Sequence, residues 1–167
     1  MDSNLVTGIL RICAALNKYK VQYMIVGGVA VALHGYFRKS INTAGFLADK
    51  PDFDFWYNPT YENYFHLLHA LEELGEDVKQ FKDEKTPDPN KSFFKYEFKD
   101  FTLDLLPKLK APLKFMKCYE KREIVNFDGI DVAFISLENL IEDKKATSRP
   151  KDLTDIEQLK NRNDADN

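Results

Sequence analysis

The sequence predicts a mixed α/β domain, a mainly antiparallel sheet flanked by helices, and three observations carry that expectation. The apolar run YMIV stops at Gly27 and Gly28 and passes straight into VAVAL, as a strand that turns into a helix does. Two pairs of alternating segments, FFKYEF with FTLDLLP and REIVNF with IDVAFI, enclose the turns Lys99-Asp100 and Asp128-Gly129 and read as hairpins. Helical spacing of apolar residues near the start and in the middle of the chain, with two capped segments at its end, supplies layers to cover such a sheet.

The elements follow in order. Leu5, Ile9, Ile12 and Leu16 recur at helical spacing, and the β-branched run Val21 to Val26 follows as a strand. Val29 to Leu33 is a weak helix by propensity, but the Gly-Gly entry and the stop at Gly35 favour one. Residues 38 to 51 show no period and end in Pro51, the pattern of a long loop or insertion. PDFDFWY then alternates as a second strand. Asn58 and Pro59 supply a cap and first turn for a helix that carries Tyr61, Phe65, Leu68 and Leu71 or Leu74 and ends at Gly75. Residues 82 to 91 are charged, hold two prolines and read as a loop before the first hairpin. Ser136 and Pro150 open two closing helices, SLENLIEDKK and PKDLTDIEQLK. At 167 residues the chain reads as a single domain over 1–160, followed by the polar, frayed tail 161–167.

Composition narrows the function classes. With 44% hydrophobic and 13% aromatic residues the chain can build a real core. A formal charge of −3 gives no global field toward nucleic acid or an anionic membrane, so a polyanionic partner would need a local patch. Cys13 and Cys118 lie far apart without metal-binding spacing, which fits buried or free thiols in a reducing compartment and no zinc site. Asp2 and Arg11 break the opening apolar stretch, so it does not read as a signal peptide, and no apolar run reaches the ~18 residues of a membrane span. The expected location is cytoplasmic.

The chemistry concentrates at two places. A strand ending in Gly27-Gly28 before a helix presents backbone N–H groups, at a positive dipole end, to a phosphate. Asp52 and Asp54, at alternate positions of a strand, share a face and can share divalent ions while Phe53 and Phe55 point into the core. Asp104 sits inside the apolar strand FTLDLLP, where a lone carboxylate is costly unless it is paired, hydrogen-bonded or bound to metal. If that strand lies beside PDFDFWY, Asp52, Asp54 and Asp104 form the three-carboxylate cluster that two-metal nucleotidyl transfer requires, with Asp104 near an attacking hydroxyl as its general base. Each feature also has a plain reading: Gly27-Gly28 as a tight turn, Asp52 and Asp54 as surface carboxylates on an edge strand.

Taken together, the strand-Gly-Gly-helix, the Asp-x-Asp strand and the later Asp in an apolar strand resemble the DNA polymerase β-type nucleotidyltransferase superfamily, and in particular its minimal bacterial, AbiEii toxin-like members. The stretch LENLIEDKKATSRPKDLTDIEQL resembles the end of that group, where a Lys and a Lys/Arg ahead of a Lys-Asp-Leu helix face the cleft. The resemblance implies that Gly27, Gly28 and Arg38 hold the phosphates of ATP or another NTP. It makes Asp52, Asp54 and Asp104 the ligands of two Mg²⁺ ions, and Lys144 and Arg149 contacts to triphosphate or acceptor. It implies transfer of NMP to an acceptor hydroxyl on tRNA, a protein or a small molecule, with a cognate toxin or antitoxin protein as a further partner. The alternative is a catalytically silent nucleotide-binding or partner-binding member of such a pair.

The chain departs from the group in one respect. Relatives follow the Gly-Gly helix with a short Arg-x-Thr-x-Asp-x-Asp run, whereas Arg38, Lys39 and Ser40 lead here to Asn42 and Ala44, and the aspartates come ten residues later. Two registers are open: residues 41–51 are an insertion and Asp52 and Asp54 are catalytic, or Asn42 and Ala44 occupy the metal positions and the site is dead. Strand-then-helix character in DFDFWYNPTYENY favours the first. His34, before Gly35, reads as a packed or helix-capping histidine, and Trp56 and Tyr57 as core or as stacking groups for a base. Lys108, Lys110, Lys114, Lys117, Lys121 and Arg122, with Phe115 and Tyr119 interleaved, read either as a solvated face or as a grip on RNA.

Overall fold

The computed structural model describes residues 3–35 and 50–166. Six strands form one mixed sheet: β1 (Tyr23–Val26), β2 (Asp52–Tyr57), β3 (Phe94–Glu97), β4 (Thr102–Leu106), β5 (Glu123–Phe127) and β6 (Ile130–Phe134). Their spatial order is β3-β4-β2-β1-β6-β5. β1/β2, β3/β4 and β5/β6 pair antiparallel, while β2/β4 and β1/β6 pair parallel. Both expected hairpins are present, the second closed by Asp128 and Gly129 at φ +51° and +85°, the paired left-handed geometry that a two-residue hairpin turn demands.

Alternation along β2 divides the sheet into two faces. Phe53 and Phe55 are fully buried, as are Leu103 and Leu105 on β4, and α1 (Ser3–Lys18) lies so close to Phe53 that a side chain at Gly8 would meet its ring at 2.7 Å. Each such burial removes enough apolar surface to contribute about 2 kcal/mol. α3 (Tyr61–Glu73) packs beside α1 on this face. The opposite face carries Asp52, Asp54 and Asp104 and meets α2 (Gly27–Leu33); α6 (Leu137–Thr147) packs on α2, and α7 (Pro150–Asp166) on α6.

Several boundaries differ from the sequence reading. The cap of α3 is Thr60, whose side chain accepts from Asn63 N at 3.2 Å. Asn58 is instead drawn inward: its side chain donates to Gln22 at 2.8 Å, and its carbonyl accepts from Asn63 at 2.8 Å, which ties the end of β2 to the approach to β1. The segment read as loop holds a single-turn α4 (Lys79–Lys82) and a 3₁₀ turn at Pro89–Lys91. α5 (Phe115–Glu120) has only Phe115 and Cys118 buried, too few apolar positions for a period to be visible. α7 runs to Asp166, past the expected end at Lys160, because no Gly or Pro stops it. Residues 36–49, with Arg38, Asn42, Ala44 and most of the expected insertion, lie outside the described residues.

Candidate active site

The site is built where the end of β1 meets the interior of β2 and β4. In the antiparallel β1/β2 register Val26 faces Asp54, and in the parallel β2/β4 register Asp54 faces Asp104. Residues directly opposite on neighbouring strands project from the same face, so both carboxylates stand together beside the Gly27 turn. Gly27 has φ +69°, and a Cβ there would come within 2.5 Å of Asp54 Oδ2. Only glycine allows the chain to turn against the carboxylate. Val26 takes the cap position of α2 without a side-chain capping bond, so no side chain closes that helix end.

The electrostatics are those of two acids in one place. Burial, first, and then the charges of Asp104 and Asp52 push the Asp54 carboxyl up to about 7, with the Lys144 charge acting against them. Asp104 Oδ1 is buried without a hydrogen-bond partner among the described residues. Asp52 is more exposed, and its Oδ1 accepts a hydrogen bond from Thr102 Oγ1. Among the described residues no three His, Cys, Asp or Glu side chains are grouped to hold a metal ion. The strand adjacency on which the expected cluster depends is present; Asp54 and Asp104 meet, and Asp52 turns toward Thr102.

Lys144 is 4% exposed, and its Nζ lies 3.1 Å from both Asp152 Oδ1 and Asp155 Oδ2. Arg149 is half exposed and grips Asp152 with two N–H groups, at 2.7 and 3.3 Å. Their charges reach Asp54 across the cleft and Asp143 on α6 itself: Lys144 acts on both, and Arg149 feels both. His34 is a packed residue, donating from Nε2 to the Ile135 carbonyl at 2.8 Å with its ring edge-on to Phe134, and burial lowers its pKa.

Sequence reading missed three residues of this neighbourhood. Asp152 is fully buried and accepts from Lys144, Thr147 and Arg149. Asp143, buried on α6 with its pKa raised by that burial, accepts from the Ala111 backbone. Lys95, exposed on edge strand β3, stands opposite Asp104 in the β3/β4 register. Asp152 carried a signal, three residues into a helix behind an N-terminal Pro, the position from which an acidic side chain reaches back to the helix start.

The sheet order and covering helices define a nucleotidyltransferase-type fold. A solved structure that shares it is the solution structure of the antibiotic-resistance factor ANT(2'')-Ia, 23% identical, with a TM-score of 0.58 over 95% of this chain and 84% of that one. At that identity the likeness is one of fold. Neither a protein-family model nor a curated protein sequence matches the chain. No described helix is long and apolar enough to cross a membrane.

Proposed function

We propose that the chain is a divalent-metal-dependent nucleotidyltransferase that moves NMP from an NTP to an acceptor hydroxyl and releases pyrophosphate. The observation that carries this reading is the Asp54/Asp104 rung: two carboxylates opposite one another, one with its acidity displaced to about 7 and the other with a buried, unpartnered oxygen, beside a turn that only glycine can make. Like charges so placed are unfavourable alone, and a divalent cation relieves both the repulsion and the orphaned oxygen, so the residues fit a metal. Asp54 and Asp104 would hold it, with Asp52 joining once released from Thr102. Bound Mg²⁺ would neutralise the triphosphate and the leaving pyrophosphate.

The remaining work falls to the chain. Backbone N–H groups at Gly27 and Gly28 orient the phosphates. Asp104 takes the proton of the acceptor hydroxyl as its oxygen bonds to the α-phosphorus, while the bond from that phosphorus to the bridging oxygen breaks and pyrophosphate leaves. Arg149, half exposed, is the cation placed to touch phosphate or acceptor; Lys144, held by two carboxylates, acts through its charge on Asp54. The position of residues 52–57 between β1 and β4 supports the register in which Asp52 and Asp54 are the functional pair. The likeness to ANT(2'')-Ia, an aminoglycoside nucleotidyltransferase, brings a small-molecule acceptor into consideration beside tRNA and protein. The resemblance to AbiEii-like toxins adds a cognate partner protein in the cytoplasm.

Calorimetric titration of each of ATP, GTP, CTP and UTP with Mg²⁺ tests this, in the wild type and in Asp54→Ala. Saturable, metal-dependent binding that the substitution abolishes supports the reading; binding that ignores metal or the substitution sinks it. The turn of Asp52 toward Thr102 favours a second reading, a catalytically silent nucleotide-binding partner of a toxin–antitoxin pair. Pyrophosphate release in the presence of acceptor separates the two, since only the enzyme turns over.

A further inference from the structure

We infer that two copies of this chain associate through edge strand β3, antiparallel about a two-fold axis at Tyr96, so that Lys95 of each faces Glu97 of the other. β3 and β5 are the two ends of the sheet, and each leaves one row of backbone groups without a neighbouring strand. On β3 the ladder to β4 decides which groups those are. Phe98 N donates to Phe101 O at 2.9 Å, so in the same register the hydrogen bonds of Tyr96 and Phe94 also run inward, to Leu103 and Leu105. The N–H and C=O groups of Lys95 and Glu97 therefore point outward, and an antiparallel copy bonds to the sheet through those two residues.

The charges choose the register. Pairing through outward residues allows Lys95 opposite Lys95, Glu97 opposite Glu97, or each Lys95 opposite Glu97 of the second copy. The first two set like charges directly across a strand pair and are unfavourable. The third joins opposite charges at both rungs while each rung exchanges both of its backbone hydrogen bonds. The interface is then isologous, the same patch on both copies. Lys95 is exposed, and the Glu97 side chain is 77% exposed; Lys50 takes its Oε1 at 2.9 Å, which leaves Oε2 for the copy. Tyr96, partly buried and stacked on Phe94 at 6.3 Å, meets Tyr96 of the second copy on the axis, in the kind of pair where side chains come closest. Phe93, directly before the strand, is 53% exposed and adds apolar surface at the margin of the contact.

The other edge lacks this complementarity. By the same alternation, starting from the hairpin pair Phe127/Ile130, the outward residues of β5 are Ile124 and Asn126. Asn126 is already engaged by its own hairpin, donating to Asp131 at 2.9 Å and accepting from Gly129 N at 3.1 Å. On β3, by contrast, Lys95 stands opposite Asp104 on the face that carries the carboxylates, so the paired edges border the candidate site.

Sedimentation velocity over a concentration series tests this with Lys95→Glu, with Glu97→Lys, with an equimolar mixture of the two, and with Ile124→Lys on the other edge as control. At about 100 µM the wild type and the control are expected at twice the 19.4 kDa of one chain. Either reversal alone puts like charges on both rungs and weakens the dimer at least about 10-fold. Mixing the two variants restores it, because each rung then joins opposite charges again, a rescue that misfolded variants cannot give. A monomeric wild type at that concentration, single variants that associate as the wild type does, a mixture that stays monomeric, or a control that dissociates overturns the proposal.

Discussion

Asp152 and Asp54 are acids in neighbouring walls of one cleft with opposite surroundings. Burial works to raise the pKa of Asp152, but hydrogen bonds from Arg149, Thr147 and Lys144 outweigh it and hold that carboxyl well below the usual range. Asp54 meets burial with another carboxylate for company, and its pKa rises. One acid is satisfied by the fold and fastens α6 to α7. The other is left wanting a positive charge that the described residues do not supply. Structural and functional carboxylates are told apart here by their donors, not by their burial.

The largest effect is expected on the satisfied side. Asp152→Ala strips Lys144 of one of its two anionic partners, removes the carboxylate that Thr147 and Arg149 bond to and leaves a void, a loss of about 3–5 kcal/mol in urea unfolding. A loss under about 1 kcal/mol would erase the contrast. Gly27→Ala comes next: a positive φ and a contact of 2.5 Å with Asp54 Oδ2 cost about 2 kcal/mol and displace the turn, so stability and Mg²⁺-dependent nucleotide binding fall together.

The pH dependence of stability sharpens the comparison because the two acids have opposite signs. Asp152 has its pKa depressed in the folded state, so its contribution is present above the ordinary value of 3.8 and is lost as pH falls below it. Asp54 has its pKa raised from 3.8 to about 7, so the folded state holds an extra proton between those values, and stability from this group is present below pH 3.8 and lost as pH rises to about 7. In metal-free protein at pH 8, Asp54→Asn is therefore expected to stabilise by about 1–2 kcal/mol, an advantage that vanishes near pH 4. Chemical denaturation at the two pH values reads it, and a destabilised Asp54→Asn would contradict it. Smallest is Lys95→Ala, exposed on an edge strand: unfolding changes by less than about 0.5 kcal/mol, while nucleotide affinity, read by calorimetry, falls if Lys95 serves the site.

What was legible in the sequence follows the range of the forces involved. Strands and hairpins were visible because alternation and the Asp128-Gly129 turn are local, and the Gly27 turn because a strand entering a helix at Gly-Gly has few other uses. That β4 lies next to β2, which alone brings Asp104 to Asp54, is a fact of topology no local pattern states. The helix-start position of Asp152 was legible, but its bonds from Lys144 and Thr147 depend on the corner between α6 and α7, where Ser148 turns left-handed, and no spacing rule states them. Asn58 looked like a cap because its type and the following Pro fit one; its use inside, bound to Gln22, needed the third dimension. The choice between the two registers was open in sequence because it turns on which segment pairs beside β1.

The central claim is that the Asp54/Asp104 rung is completed by a divalent cation and a nucleotide. The most direct measurement is the melting temperature of the wild type and of Asp104→Asn with Mg²⁺ alone, each NTP alone, and both together. Ligand binding to the folded state alone raises stability by mass action, about 2.7 kcal/mol at a hundredfold excess over Kd. A rise of several degrees for the wild type, only with metal and nucleotide together, and none for Asp104→Asn, is the predicted result. An equal rise in both proteins, or a rise with nucleotide that ignores the metal, would contradict it.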